Sequence, residues 1–123
     1  PKKMTDSIDQ LLLRVKSGEP VEFEETIAVI DRNYRYTPTR FTNGLGEAPV
    51  VSEPGTNVGS LKIFSFASEN CLTEAETLQL FGKFYREDVL HHPEGTDHMN
   101  IRTFMKSGWS GIQFDGQALL RAE

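Results

Sequence analysis

Residues 84–98, Phe-Tyr-Arg-Glu-Asp-Val-Leu-His-His-Pro-Glu-Gly-Thr-Asp-His, carry the side chains best suited to chemistry. All three histidines of the chain fall here, with Glu87, Asp88, Glu94, Asp97 and Arg86. His92, Asp97 and His98 offer imidazole and carboxylate donors of the kind that hold zinc, nickel or iron. A turn could bring His92 and His98 to one ion. The spacing matches no zinc signature such as HExxH, and Cys71 is a lone cysteine. Metal binding is therefore the alternative, and no metal or cofactor is expected. Asp88 and His92 are four residues apart, which suits proton transfer on one helix face but equally a surface ion pair, the preferred account. Arg86 and Arg102 could clamp a carboxylate or phosphate, although such arginines more often tie helices together through a neighbouring acid. Tyr85, Arg86, Asp88, His92, Asp97, His98 and Arg102 form the candidate cluster, with no catalytic residue assigned. The preferred account of this corner is architectural: His91 and His92 complement a helix C-terminus, and Asp97 caps the next helix.

Positioning these groups requires helices on both sides of Pro93. The helix before it is expected from about Glu74 to Leu90, opened by the capping box Thr73-Glu-Ala-Glu76, with Leu78, Phe81, Tyr85 and Val89 on one stripe. Gly82 would allow close approach of a neighbour. Glu94-Gly95 makes the turn. Thr96 or Asp97 then caps a helix with Ile101, Phe104 and Met105 inward, ended by Gly108.

Earlier in the chain, Ile8, Leu11, Leu12 and Val15 form a helical stripe, with Ser7 and Gln10 as a capping box and Gly18 and Pro20 as the stop. A second helix starts near Glu22 and carries Phe23, Ile27, Ile30 and Tyr34. Tyr36 to Phe41 reads as extended, entering an Asn43-Gly44 turn. The stretch from Leu45 to Val58, with Pro49 and Pro54, reads as a passive surface loop. In Ser60 to Asn70, Leu61 and Ile63 alternate like a strand, whereas Ile63, Phe66 and Ala67 fit a helix capped by Ser60, the favoured reading. Ser110 to Phe114 reads as a strand pairing with the segment around Phe41. The tail beyond Gln117 is expected to fray. The expected architecture is α+β: one mostly helical domain spanning 1–123, with about five helices and a small two-stranded antiparallel ribbon.

The net charge is −5, and the 13 basic residues are dispersed. No positive face of the sort nucleic acid requires is built, so nucleic acid is not an expected partner. Glu19, Glu22, Glu24, Glu25 and Asp31 read as a solvated helix face. No apolar run is long enough to span a membrane. No secretory leader is visible after Lys2-Lys3, and the chain opens on Pro1, so an upstream segment or a cleaved precursor is open. Soluble and intracellular is the favoured localisation, with secretion as an effector or organelle targeting as the other routes. Cys71, in an apolar setting before a capping box, reads as an inert thiol.

The chain resembles the HopJ type III effector family of small bacterial proteins from roughly Phe23 to Gly116. The likeness is carried by Ala28-Val-Ile-Asp31, Tyr36-Thr-Pro-Thr39, Phe41-Thr-Asn-Gly44, Gly59-Ser60 and Lys62-Ile-Phe64. It is strongest in Phe84-Tyr-Arg-Glu-Asp-Val-Leu90, His92-Pro93, Gly95-Thr-Asp-His98, Asn100-Ile-Arg102 and Gly108-Trp109. The resemblance implies proteins delivered to plant cells by type III secretion, and it transfers no catalytic residue. The expected function is a non-enzymatic protein-interaction module, as an effector or an accessory subunit, with Trp109, Asn43 and Phe41 as interface candidates, Trp109 reading equally well as a lid over the core. A small metal-binding protein or enzyme built on residues 85–98 is the alternative.

Overall fold

A computed structural model describes residues 2–122 and, of the side chains, residues 7–122. Five α-helices run along the chain: α1 (Lys2–Lys16), α2 (Phe23–Asn33), α3 (Val58–Glu69), α4 (Glu74–Gln79) and α5 (Met99–Ser107). A π-helix, Phe84–Val89, lies between α4 and α5. The strands are β1 (Tyr34–Tyr36), β2 (Phe41–Asn43), β3 (Val50–Ser52), β4 (Ile112–Phe114) and β5 (Leu119–Arg121). The α+β expectation holds.

The stripes on α1 and α2 point inward, with Ile8, Leu11, Val15 and Ile30 buried. Ser7 does not cap α1, because the helix begins at Lys2. The Ser7 hydroxyl instead accepts a hydrogen bond from Asn33 Nδ2 at 2.8 Å. Glu22 and Glu25 form the capping box of α2. α2 stops one residue short of Tyr34, which opens β1. α3 begins two residues ahead of Ser60, with Asn57 as its N-cap in the left-handed region, φ 49°. α3 is the central helix, burying Leu61, Ile63, Phe64, Phe66 and Ala67. The Phe64 ring meets those of Phe41, Phe81, Phe104 and Trp109. Offset and edge-on packing of this kind suits ring quadrupoles and adds to the hydrophobic gain.

The expected pairing of β2 with β4 is present, Phe41 facing Phe114 and Asn43 facing Ile112. It is not a two-stranded ribbon, however. β3 adds to the other edge of β2, so the stretch read as a passive loop contributes a strand to a β3-β2-β4 sheet. The tail does not fray but forms β5, antiparallel to β1, and buries Ala118 and Leu119. The apolar run Ala118-Leu119-Leu120 is too short to announce a strand.

The helix expected from Glu74 to Leu90 is broken. The capping box is in place, Thr73 Oγ1 accepting from the Glu76 amide and Glu76 Oε1 from the Thr73 amide. α4 nevertheless ends at Gln79, and Gly82 takes φ +64°. A Cβ at Gly82 would stand 2.6 Å from the backbone nitrogen of Phe23. The entry to α2 therefore passes where a continuous helix would need to run.

Substituting Gly82→Ala is expected to cost about 2–4 kcal/mol, combining a left-handed backbone with a clash against main chain. Urea unfolding of the variant beside wild type measures it.

Candidate functional site

The helix restarts after Gly82 as a π-helix, its wider turn closed by the Leu90 amide donating to the Tyr85 carbonyl at 3.0 Å. Pro93 and Gly95 then turn the chain, and α5 begins after His98. Arg102, on the first turns of α5, reaches back across the corner. Its Nε donates to the Asp97 carbonyl at 2.6 Å, Nη1 to the His92 carbonyl at 2.7 Å, and Nη2 to Asp97 Oδ1 at 2.6 Å. The Arg102 side chain is only 9% exposed. Burying a cation is costly unless its donors are met, and three good acceptors meet them here. Gly95 is small for this reason, since a Cβ there would come within 2.6 Å of Arg102 Nη2.

Asp97 is therefore not the helix cap. The N-cap is His98, in the left-handed region at φ 51°, with no side-chain cap bond to α5. His98 Nε2 lies 3.0 Å from Asp88 Oδ2 and 3.8 Å from Asp97 Oδ2. A carboxylate can only accept, so Nε2 carries the proton. The imidazole stacks on Phe84, with centroids 5.0 Å apart and planes at 29°. Asp88 thus pairs with His98 rather than with His92 four residues on. His92 is exposed and joins the corner through its carbonyl. Among the described residues, no three His, Cys, Asp or Glu side chains gather as metal ligands would.

Arg86 ties elements together as expected. Nη1 donates to the Val21 carbonyl and Nη2 to Glu22 Oε2, both at 2.8 Å, joining the π-helix to the start of α2. Tyr85 packs against the core. The acidic run is more engaged than a free solvated face. Glu19 and Glu25 meet Arg14, Glu22 meets Arg86, and Asp31 meets Lys62. Hydrogen bonding from the Glu22 amide, then from Arg14, holds the Glu25 carboxyl below its usual value.

The interface candidates lie inward. Phe41 and Asn43 are fully buried, so neither is presented to a partner. Trp109 covers the core, edge-on to Phe104 at 5.1 Å, with its indole N–H donating to the Leu72 carbonyl at 3.1 Å. Asn43 Nδ2 donates to the carbonyl and to Oδ1 of Asn100, both at 2.9 Å, fastening β2 to α5. Met105, expected inward, is 45% exposed. Cys71 is exposed rather than sheltered and sits at φ 57°.

Two concavities flank α5. One, of about 370 Å³, is lined among others by Phe23, Asn57, Ser60, Phe84, His98 and Asn100. The other, of about 420 Å³, is lined among others by Leu90, Pro93, Met99, Met105 and Lys106. Only His98 of the candidate cluster lines the first, and only Arg102 the second. Asn57, Ser60 and Met99 could not be singled out from spacing, because they converge only when α3 is brought beside α5.

Hydrogen bonding from Arg102, followed by smaller charge effects from His98 and Arg102, lowers the Asp97 pKa below its ordinary 3.8. A depressed carboxylate stabilises the fold fully above that ordinary value, and the contribution fades as pH falls through the folded pKa. The stability gap between wild type and Asp97→Asn should therefore be widest near neutrality and close in strong acid, as measured by urea unfolding at pH 7 and pH 3. Arg102→Met should cost about 3 kcal/mol at pH 7, since it leaves the His92 and Asp97 carbonyls without a donor.

Comparison with known proteins places this geometry. No curated protein matches the chain. Among solved structures, the protein VPA0580, whose crystal structure is described as that of an unknown function protein, is 50% identical and superposes with a TM-score of 0.87. The match covers 93% of this chain and 92% of that one. Residues 8–119 match the family described as HopJ type III effector protein. The chain belongs to the HopJ family.

Proposed function

We propose that the protein is a non-enzymatic interaction module that docks an apolar segment of a partner protein in the groove beside α5. One observation carries this assignment. Of seven large hydrophobic side chains exposed among the described residues, three, Leu90, Met99 and Met105, line this single groove. Scattered exposed apolar residues need no explanation, whereas a gathered set favours a binding surface. Val89, Pro93, Thr96, Arg102 and Lys106 also line its walls. The two methionines are unbranched and polarisable, so they can repack around an inserted side chain. The Arg102 network holds the floor rigid, which lowers the ordering cost of binding. The acids and imidazoles of the corner are engaged in that network or exposed, which supports docking over catalysis. A protein target also agrees with the effector description of the family.

A photo-reactive residue placed at Leu90 should cross-link one protein partner from the native cell or from a host cell. Leu90→Glu and Met105→Glu should each weaken that partner's binding about tenfold or more, as expected for a central apolar contact, with Tm unchanged. Leu13→Glu, on the exposed face of α1, should leave it intact. A partner that binds both groove variants as tightly as wild type would overturn the proposal.

A further inference from the structure

Granted that a partner docks in the groove of Leu90, Met99 and Met105, the walls of that groove determine the conformation and charge of the segment that fills it. One wall is the end of the π-helix with the Pro93 turn, and the other is α5. No strand borders it. Its main-chain donors are already in use. The amides of Leu90, Gly95 and Arg102 donate to the carbonyls of Tyr85, His92 and His98, and Pro93 has no amide to offer. An extended segment therefore finds no ladder to join, and its own amides and carbonyls would lose water over leucine and methionine side chains without gaining partners. A helix satisfies those groups internally and can lay one apolar face in the groove. Met99, Arg102 and Lys106 stand three and four residues apart on one face of α5. They span about 10 Å of its axis, so the groove receives about two turns of a helix.

The charge of the segment follows from Lys106. No Asp or Glu lines the groove. The Arg102 cation is matched by Asp97 Oδ1 at 2.6 Å and is 9% exposed, so it presents little field to an occupant. Lys106 is exposed and forms no ion pair among the described residues. The chain as a whole carries −5. An acidic segment is thus disfavoured over the surface at large and meets a free cation in the groove, which sets register and selectivity more than affinity. Lys106 also lies in the last turn of α5, where it offsets the helix dipole whether or not anything binds. Binding measurements, not stability, separate the two roles. We propose that the groove receives an acidic amphipathic helix, apolar at i, i+3 or i+4 and i+7 against Leu90, Met99 and Met105, with an Asp or Glu beside Lys106.

Selection of a displayed library of random peptides, each about sixteen residues or four helical turns long, against the full chain tests this. Enriched peptides should show that apolar spacing with Asp or Glu interspersed, and should gain helical circular dichroism on binding. By fluorescence anisotropy, Lys106→Gln should weaken them about threefold, as a partly exposed ion pair allows, and Lys106→Glu about tenfold, while Lys106→Arg keeps affinity. Raising salt from about 50 to about 500 mM should weaken wild-type binding about threefold and leave Lys106→Gln nearly unmoved. Exchanging the peptide's acid for Lys should restore binding to Lys106→Glu. Peptides that fail on Leu90→Glu yet bind in extended form, or bind Lys106→Glu as tightly as wild type, sink the acidic helix and leave the docking groove standing. Peptides indifferent to both Leu90→Glu and Met105→Glu, or no enrichment at all, sink the groove with it.

Discussion

The last third of the fold depends on the buried guanidinium of Arg102. Its donors reach acceptors at both ends of the Pro93 turn, the His92 carbonyl on one side and the Asp97 carbonyl and carboxylate on the other. A planar fork can satisfy several such acceptors in one fixed geometry, which a lysine cannot. Because the cation is almost wholly desolvated, loosening any arm leaves charge or carbonyl unmatched. The π-helix, the turn and the start of α5 therefore behave as one rigid piece. That rigidity also sustains His98 in a left-handed conformation that a residue with a Cβ adopts only at some cost.

The Arg102 anchor leaves α5 with work to do on two other faces. Toward β2, Asn100 accepts from Asn43 in the buried layer, and Ile101 and Phe104 extend the aromatic core around Phe64. Toward solvent, Met99 and Met105 remain uncovered. The helix is nine residues long, and Met99 lines both of its concavities.

Much of this was legible in the residues themselves. The stripe Ile8, Leu11, Val15 implies a buried helix face whatever it packs against, because 3.6-residue periodicity is a local property. The Thr73 to Glu76 capping box is likewise complete within four residues. The pairing of β2 with β4 followed from there being one credible partner for the strand after Gly111. The guess that Arg86 and Arg102 tie elements together was sound because a basic side chain beside several acids has few better outcomes. Family membership was legible for a similar reason: ordered local matches do not depend on contacts.

Most of what failed involved partners distant in the chain. Nothing within residues 74–90 says that the backbone of Glu22 and Phe23 presses on Gly82 and splits the helix. β3 and β5 are three residues each, too short to carry a period, and exist because edges of β2 and β1 stood open to them. Asp97 has the composition of a cap, yet a guanidinium five residues on competes more strongly than an amide dipole. By itself the chain determined most of the helical segments, where Pro93 turns them and which lineage they belong to, since those depend on neighbours in sequence. Only the tertiary structure decided that Asp88 meets His98, that Trp109 is a lid over the core rather than an exposed anchor, and that two helix starts without side-chain caps face one cleft. Each of those requires desolvated groups from separate segments to find one another, and long-range pairing leaves no periodic trace.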